Sequence, residues 1–300
     1  EKMKFIPFTS YIISEGEKNC PLCGSENYQN ISKWDRRFKK LKHVKCETCA
    51  FIRHHPLPNN EQLSDYYSKN YRKDYQNVGL RPSDRHIIKR KKEAQNRISK
   101  FPKNLSASAS ILDFGCGSGE FVASCQDLGY TASGFEPGES YANYAANEVG
   151  LDVKLGEWQN VNYDDKFDLI SSFHVFEHLT DPVGALLKAK TWLKPNGYIF
   201  LETPNMSNAL KKGFGSLHFA HTLGFSRYSM EYLGALVGLK VVKTINDYDI
   251  GIIFTPGKSR PLEAIAENAR TDLAYWTNRT VNRQFFRYSI SKLVGKRPKY

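Results

Sequence analysis

The sequence predicts an α/β fold, a mostly parallel sheet with helices on both faces, preceded by a small metal-held module. Three observations carry this. From Ser110 to Pro256, short apolar runs alternate with helical segments that close on Gly129, Gly150, Gly197 or Gly238, which is the texture of βα units feeding a parallel sheet. One strand-to-helix junction, ILDFGCGSGE, places glycines at 115, 117 and 119 behind an aspartate. Two Cys-x-x-Cys pairs stand in the first 60 residues.

The elements follow in order. Residues 1–60 are short strand-like pieces around the four cysteines, and residues 61–107 form a tyrosine-rich and helical connector. Within the connector, residues 84–101 read as a helix with Ile87, Ala94, Ile98 and Phe101 near one face. In residues 108–256, SILDFG, TASGFEP, VKLGE, FDLISSFHV and YIFLETPN read as strands. LKVVKTIND and GIIFTP are spaced to pair antiparallel. Between them lie helices, one opened by Asp181 with Pro182 in its first turn and stopped by KPNG, another capped by Ser226 or Ser229. Residues 257–300 form a basic helical tail whose first helix spans 261–276.

Cys20, Cys23, Cys46 and Cys49 form two pairs separated by 22 residues. That spacing makes a zinc ribbon or knuckle, and four thiolates close a tetrahedron, so the zinc is structural. Such a module has little core of its own, and the metal supplies folding energy. Cys116 and Cys125 have no partner spacing and read as packed residues.

The glycine loop is not a dinucleotide fingerprint. G-x-G-x-x-G from Gly115 would need glycine at 120, where Glu120 stands, and from Gly117 it would need glycine at 122, where Val122 stands. What remains is G-x-G-x-G after Asp113. Gly115, Gly117 and Gly119 let the backbone approach a ligand closely. S-adenosylmethionine, with an ammonium, a ribose and no phosphate, suits this site. Asp113 can position the ammonium directly or through water, and Glu136 at the end of the next strand can accept from both ribose hydroxyls. With GFEPG, FDLISSFHVFEHLTDP, LKPNGYIFLETPN and the closing strand pair, residues 108–256 resemble a class I S-adenosylmethionine-dependent methyltransferase. The resemblance implies a Rossmann-like sheet of seven strands, with Glu157 and Trp158 at the adenine. It places His174 at the methionine part of the cofactor or at the substrate.

The resemblance also settles H-x-x-E-H at His174, Glu177 and His178. A zinc protease carries that motif inside a continuous helix, whereas FDLISSF directly upstream is strand-like. The order of cysteine pairs, LPNNEQLSDYYSKNY and methyltransferase core, over residues 18–256, resembles bacterial sugar and surface-polysaccharide methyltransferases, including zinc-containing deoxysugar C-methyltransferases. There the tyrosine segment helps to close the cofactor site, which implicates Tyr66, Tyr67 and Tyr71. The C-methyltransferases carry a Glu-His pair that SLHFAHTLGFS matches only at His221, with Ala220 in place of the glutamate, and they carry a longer C-terminal domain. The expectation is therefore O-methylation of a sugar, nucleotide-sugar or surface glycan, with His221 or His178 as the base and His174 and His218 as nearby alternatives. Glu177 and the histidines could also hold a divalent metal.

A net charge of +12 calls for an anionic partner. From Lys258 to Tyr300 ten Lys or Arg face three Asp or Glu, with aromatic residues between them. That combination suits peripheral contact with an anionic membrane at its cytoplasmic side. The N-terminus lacks the apolar region of a secretory leader, so the expected location is the cytoplasm. The rival readings are an RNA or other nucleic-acid methyltransferase and a cofactor-binding scaffold without catalysis. Against the first, strand four lacks the endings used on adenine N6 or cytosine C5. Against the second, the glycine loop and Glu136 are intact.

Overall fold

The computed structural model describes residues 11, 16–59, 61–63, 81–212, 214–246 and 249–293; Tyr66, Tyr67 and Tyr71 lie outside the described residues. At the N-terminus β1 (Gly16–Glu17) pairs antiparallel with β5 (Leu57–Pro58). Between them β2 (Tyr28–Trp34), β3 (Lys40–Cys46) and β4 (Ile52–His54) form an antiparallel meander. Helix α1 (Asp84–Ile98) follows, capped by Ser83, whose hydroxyl accepts the His86 N–H.

The central unit alternates β6 (Ser110–Phe114), α2 (Glu120–Asp127), β7 (Thr131–Glu136), α3 (Glu139–Asn143), β8 (Val153–Leu155), β9 (Phe167–Phe173), α4 (Pro182–Thr191) and β10 (Leu193–Pro204). It continues through α5 (Met206–Lys212), β11 (Leu223–Gly224), α6 (Arg227–Leu236), β12 (Leu239–Asn246) and β13 (Asp249–Pro256). Seven strands form one sheet in the order β12-β13-β10-β9-β6-β7-β8, parallel except for the pairings of β13 with β10 and β12. This is the expected Rossmann-like methyltransferase fold. Leu112, Ile170, Ile199 and Phe200 are fully buried in the sheet, as strands covered on both faces must be. The chain turns to opposite sides of β6, so a crevice opens between the carboxyl ends of β6 and β9.

The predicted caps are in place: Asp181 accepts the Gly184 N–H with Pro182 in the first turn, and Ser226 and Ser229 make a reciprocal box. Two local features differ from expectation. KPNG does not end a helix ahead of a new strand but bulges within β10, because Leu193 already pairs with Phe167 and the regular register resumes at Tyr198. Helix α3 relaxes into a π turn over Tyr144–Glu148, where Val149 N–H reaches back to Tyr144 O.

The N-terminal meander shares a sheet with β11, which pairs with β4. The tail packs on it too. Helix α7 (Leu262–Asp272) buries Ile265, Ala266 and Ala269 and stops short of the expected residue 276. Helix α8 (Asn278–Leu293) lays Phe285 and Tyr288 against Trp34 and Phe38 of the meander. Its outer face exposes Arg279, Arg283 and Arg287 beside Phe286 and Ile290, the face on which contact with an anionic surface would fall. Among the described residues no helix is long and apolar enough to cross a membrane.

Candidate active site

The crevice is a cavity of about 1230 Å³. Gly115, Gly117 and Gly119 all adopt positive φ. At Gly115 an added Cβ would meet Val175 at 2.6 Å, whereas at Gly117 it would meet nothing within 4 Å. The φ of +56° is what excludes other residues at Gly117, and its bare backbone faces open space. Glu136 holds the loop: Oε2 accepts the Gly117 N–H at 3.0 Å and Oε1 the Gly138 N–H at 2.8 Å. The carboxylate lines the cavity, where a ribose diol would meet it. Asp113 lies buried beneath the loop, where its Oδ1 accepts the Ser171 hydroxyl at 2.8 Å. Burial pushes its carboxyl up to about 7, against the Ser171 hydrogen bond and the charge of Arg97. Glu157 and Trp158 line the same cavity. The donor set therefore fits S-adenosylmethionine, with a carboxylate for its ammonium, a carboxylate for its ribose hydroxyls and an indole within reach.

Around the end of β9 lies a second group of side chains. His174 has φ +58°, a left-handed conformation that costs a non-glycine residue about 1–3 kcal/mol and is held only where the surroundings require it. Its N–H donates to Glu202 O at 2.9 Å. Its ring lies among three carboxylates: Nδ1 is 3.3 Å from Glu177 Oε1, and Nε2 is 3.4 Å from Asp249 Oδ2 and 3.8 Å from Glu202 Oε1. Burial alone would lower its pKa, but the neighbouring Asp249 and Glu177 carboxylates raise it to about 10. His174 is therefore held protonated near neutral pH, as a charge partner for the carboxylates.

His178 and His221 come together beside it. His178 Nδ1 donates to Ala220 O at 2.6 Å, which fixes the tautomer and leaves Nε2 as the atom 3.9 Å from Glu177 Oε1. The His221 ring packs 5.1 Å from His178 and 3.9 Å from His218. Burial holds His221 and His218 well below the usual imidazole range, with neighbouring cationic groups adding to it, so both are neutral.

Sequence reasoning missed Arg97, Glu202 and Asp249. Arg97 Nε and Nη2 both donate to Glu202 Oε1, at 2.8 and 2.7 Å, and the guanidinium lies 4.3 Å from the Phe173 ring centre. A charge inside the apolar run YIFLETPN was a usable signal for Glu202; nothing local marked Asp249.

Away from the cavity, the four cysteines gather as predicted. Cys20 and Cys49 Sγ lie 3.6 Å apart and Cys23 and Cys46 Sγ 3.5 Å apart, with all four sulfurs within 4.8 Å of one another. Zn–S bonds of about 2.3 Å in a tetrahedron imply sulfur edges of about 3.8 Å, so the residues fit zinc.

The family model described as a methyltransferase domain matches residues 85–244, more than half of the chain. Curated relatives named ubiquinone biosynthesis O-methyltransferase are 30% identical over 115 residues in Colwellia psychrerythraea, covering 35% of this chain and 46% of that one. In Histophilus somni they are 27% identical over 201 residues, covering 62% and 70%. The match thus spans about half the length of the Colwellia relative. A chain of the complex between the Haloferax volcanii Trm112 methyltransferase activator and a methyltransferase superposes with a TM-score of 0.50 at 15% identity, covering 58% of this chain and 95% of that one; it speaks to the fold alone. These findings overturn the expected sugar, nucleotide-sugar or glycan acceptor and the resemblance to polysaccharide methyltransferases. The relatives carry the name of a different pathway, and the features behind the sugar reading, a cysteine module and a single matching histidine, specify no acceptor.

Proposed function

The chain belongs to the methyltransferase-domain family and is an S-adenosylmethionine-dependent methyltransferase, and from that premise we propose that it methylates a hydroxyl oxygen on a small aromatic molecule of the quinol type. The observation that carries this reading is the cavity itself: a cofactor cradle at Gly115–Gly119 and Glu136 continues into a histidine-lined end at His178 and His221. A volume of about 1230 Å³ leaves room for a second small molecule beside a nucleoside cofactor. The name O-methyltransferase in the relatives supports oxygen as the acceptor atom, and ubiquinone biosynthesis supports the quinol class.

S-adenosylmethionine supplies a methyl group already activated on a sulfonium, so the chain's own work is positioning and proton removal. Asp113 receives the ammonium end, Glu136 the ribose, and Glu157 with Trp158 the base. His174, protonated and fixed by Glu177 and Asp249, marks the boundary between cofactor and acceptor. Beyond it, the acceptor hydroxyl meets His178 Nε2 and the neutral His221 ring, where its proton can be taken.

The test is transfer of label from methyl-labelled S-adenosylmethionine to defined acceptor panels. Label in O-methyl ethers of hydroxylated aromatics supports the reading. Label only in RNA, or cofactor binding with no transfer to any small hydroxyl compound, would overturn it.

A further inference from the structure

We propose that Glu177, His178 and His221 form a second metal site, distinct from the four cysteines, that takes a first-row divalent cation and presents it to the acceptor oxygen. The inference rests on the proposed function and names the means by which the acceptor hydroxyl is ionised.

Two independent observations point to a ligand here. The three side chains each offer one ligand atom, and these atoms lie within 4.8 Å of one another. Metal bonds of about 2.0–2.2 Å would set tetrahedral ligand atoms about 3.4 Å apart, so small torsional shifts close the set. The second observation is Glu177 itself. It is 1% exposed, and neither carboxylate oxygen receives a directed hydrogen bond from a described residue. His174 Nδ1 lies 3.3 Å from Oε1 while the same ring's Nε2 faces Asp249, and Oε2 has no cation beside it among the described residues. A buried carboxylate left this way is expensive unless a cation completes it. Among the described residues, the ion-pair partners of Glu177, Glu202 and Asp249 are Arg97, His174 and, at 3.9 Å, the proposed ligand His178.

The ligand set has the supports that metal-binding imidazoles use. His178 donates Nδ1–H to Ala220 O, which fixes the ring and turns Nε2 toward Glu177. His218 packs on the His221 ring and restricts its rotation. Two imidazoles and one carboxylate favour zinc, iron, cobalt or manganese over magnesium or calcium, and three protein ligands leave open positions. With a cation bound, His178 and His221 are ligands rather than proton acceptors. The acceptor oxygen takes an open position, its O–H breaks, and the proton leaves to water in the cleft while the cation's oxidation state is unchanged.

The experiment is a Co²⁺ titration of the full chain with its cysteine site already zinc-loaded, in the absence of cofactor and acceptor. One further equivalent should bind, with weak visible bands and no thiolate charge transfer. Glu177→Gln, which preserves shape, and His221→Asn should each weaken that equivalent at least tenfold, while Asp249→Asn should leave it within threefold. No second equivalent, or one lost on Asp249→Asn but indifferent to Glu177→Gln, would overturn the site. Affinity for S-adenosylhomocysteine and label transfer after chelation, measured on the same samples, separate the readings: loss of the metal site with transfer intact leaves the methyltransferase function standing on an imidazole base.

Discussion

Replacing Arg97 with methionine removes one half of a buried ion pair. Both of its donors reach the same oxygen of Glu202, and each residue is only 7% exposed. Breaking such a pair from one side costs about 3–5 kcal/mol, mostly because the remaining charge is stranded. Here His174 Nε2 stands 3.8 Å from Glu202 Oε1 and compensates in part, so the expected loss is at the lower end, about 3 kcal/mol. At roughly 2–4 °C per kcal/mol for a chain of this size class, melting should fall by about 6–12 °C. Arg97 also ties α1 to β10, and α1 carries His86 and Arg90 into the wall of the cavity. Cofactor affinity should therefore fall with stability. The assay is a double-mutant cycle: Arg97→Met, Glu202→Met and both together, followed by urea unfolding and by calorimetric titration with S-adenosylhomocysteine. The double variant should recover at least 2 kcal/mol relative to the sum of the singles. A single-variant loss below about 1 kcal/mol, or strictly additive singles, would refute the reasoning, because neither charge would then be stranded.

Three further outcomes follow from the site. Cys46→Ser should lose the thiolate-bound zinc by metal analysis and unfold the N-terminal meander, since one ligand of four is gone and that metal is coupled to folding; a fully folded variant with metal retained would contradict this. Glu136→Ala should weaken S-adenosylhomocysteine binding by about 10²–10⁴, from two ribose hydrogen bonds to a charged acceptor at about 1.5–3 kcal/mol each, and it also frees the Gly117 and Gly138 N–H groups; calorimetry giving unchanged affinity would remove Glu136 from the site. Asp113, with its carboxyl raised to about 7 by burial, should make cofactor affinity rise as pH climbs through 7 and the carboxylate ionises to meet an ammonium. The folded value exceeds the unfolded one of about 3.9, so the stability attached to this group is full below pH 4 and lost as pH rises through 7. Asp113→Asn should flatten both profiles, and parallel profiles in parent and variant would exclude the assignment.

The sequence carried the fold because the fold is local in its signals. Apolar runs mark the strands, two helices carry side-chain caps at Asp181 and Ser226, and the glycines of the loop act where they stand. Cys20, Cys23, Cys46 and Cys49 were legible for the same reason: two short spacings bring each pair to one metal, and the meander between them closes the set. The errors at KPNG and in the π turn after α3 have a common origin. Both depend on what a neighbouring strand or helix demands, Leu193 on Phe167 in one case and Val149 on Tyr144 in the other. The acceptor was misread because a cysteine module constrains folding, not the chemistry at the far end of the cleft.

The centre of the site was half legible, and the missing half is what sets the charge of His174. Its motif partners Glu177 and His178 follow within four residues, and a histidine beside a carboxylate after a strand reads naturally as a proton acceptor. What reverses that reading arrives from elsewhere in the chain. Glu202 comes from β10, the parallel neighbour of β9, and Asp249 from the start of β13, which runs back antiparallel along β10 and sets Asp249 opposite Pro204. Only after that return does the imidazole lie among three carboxylates, and only then is its proton held to about 10. The backbone at His174, left-handed, also meets β10 here, its N–H donating to the Glu202 carbonyl. A linear motif supplies the groups; the order of strands in the sheet decides which carboxylates surround His174 and so which of the groups carries charge.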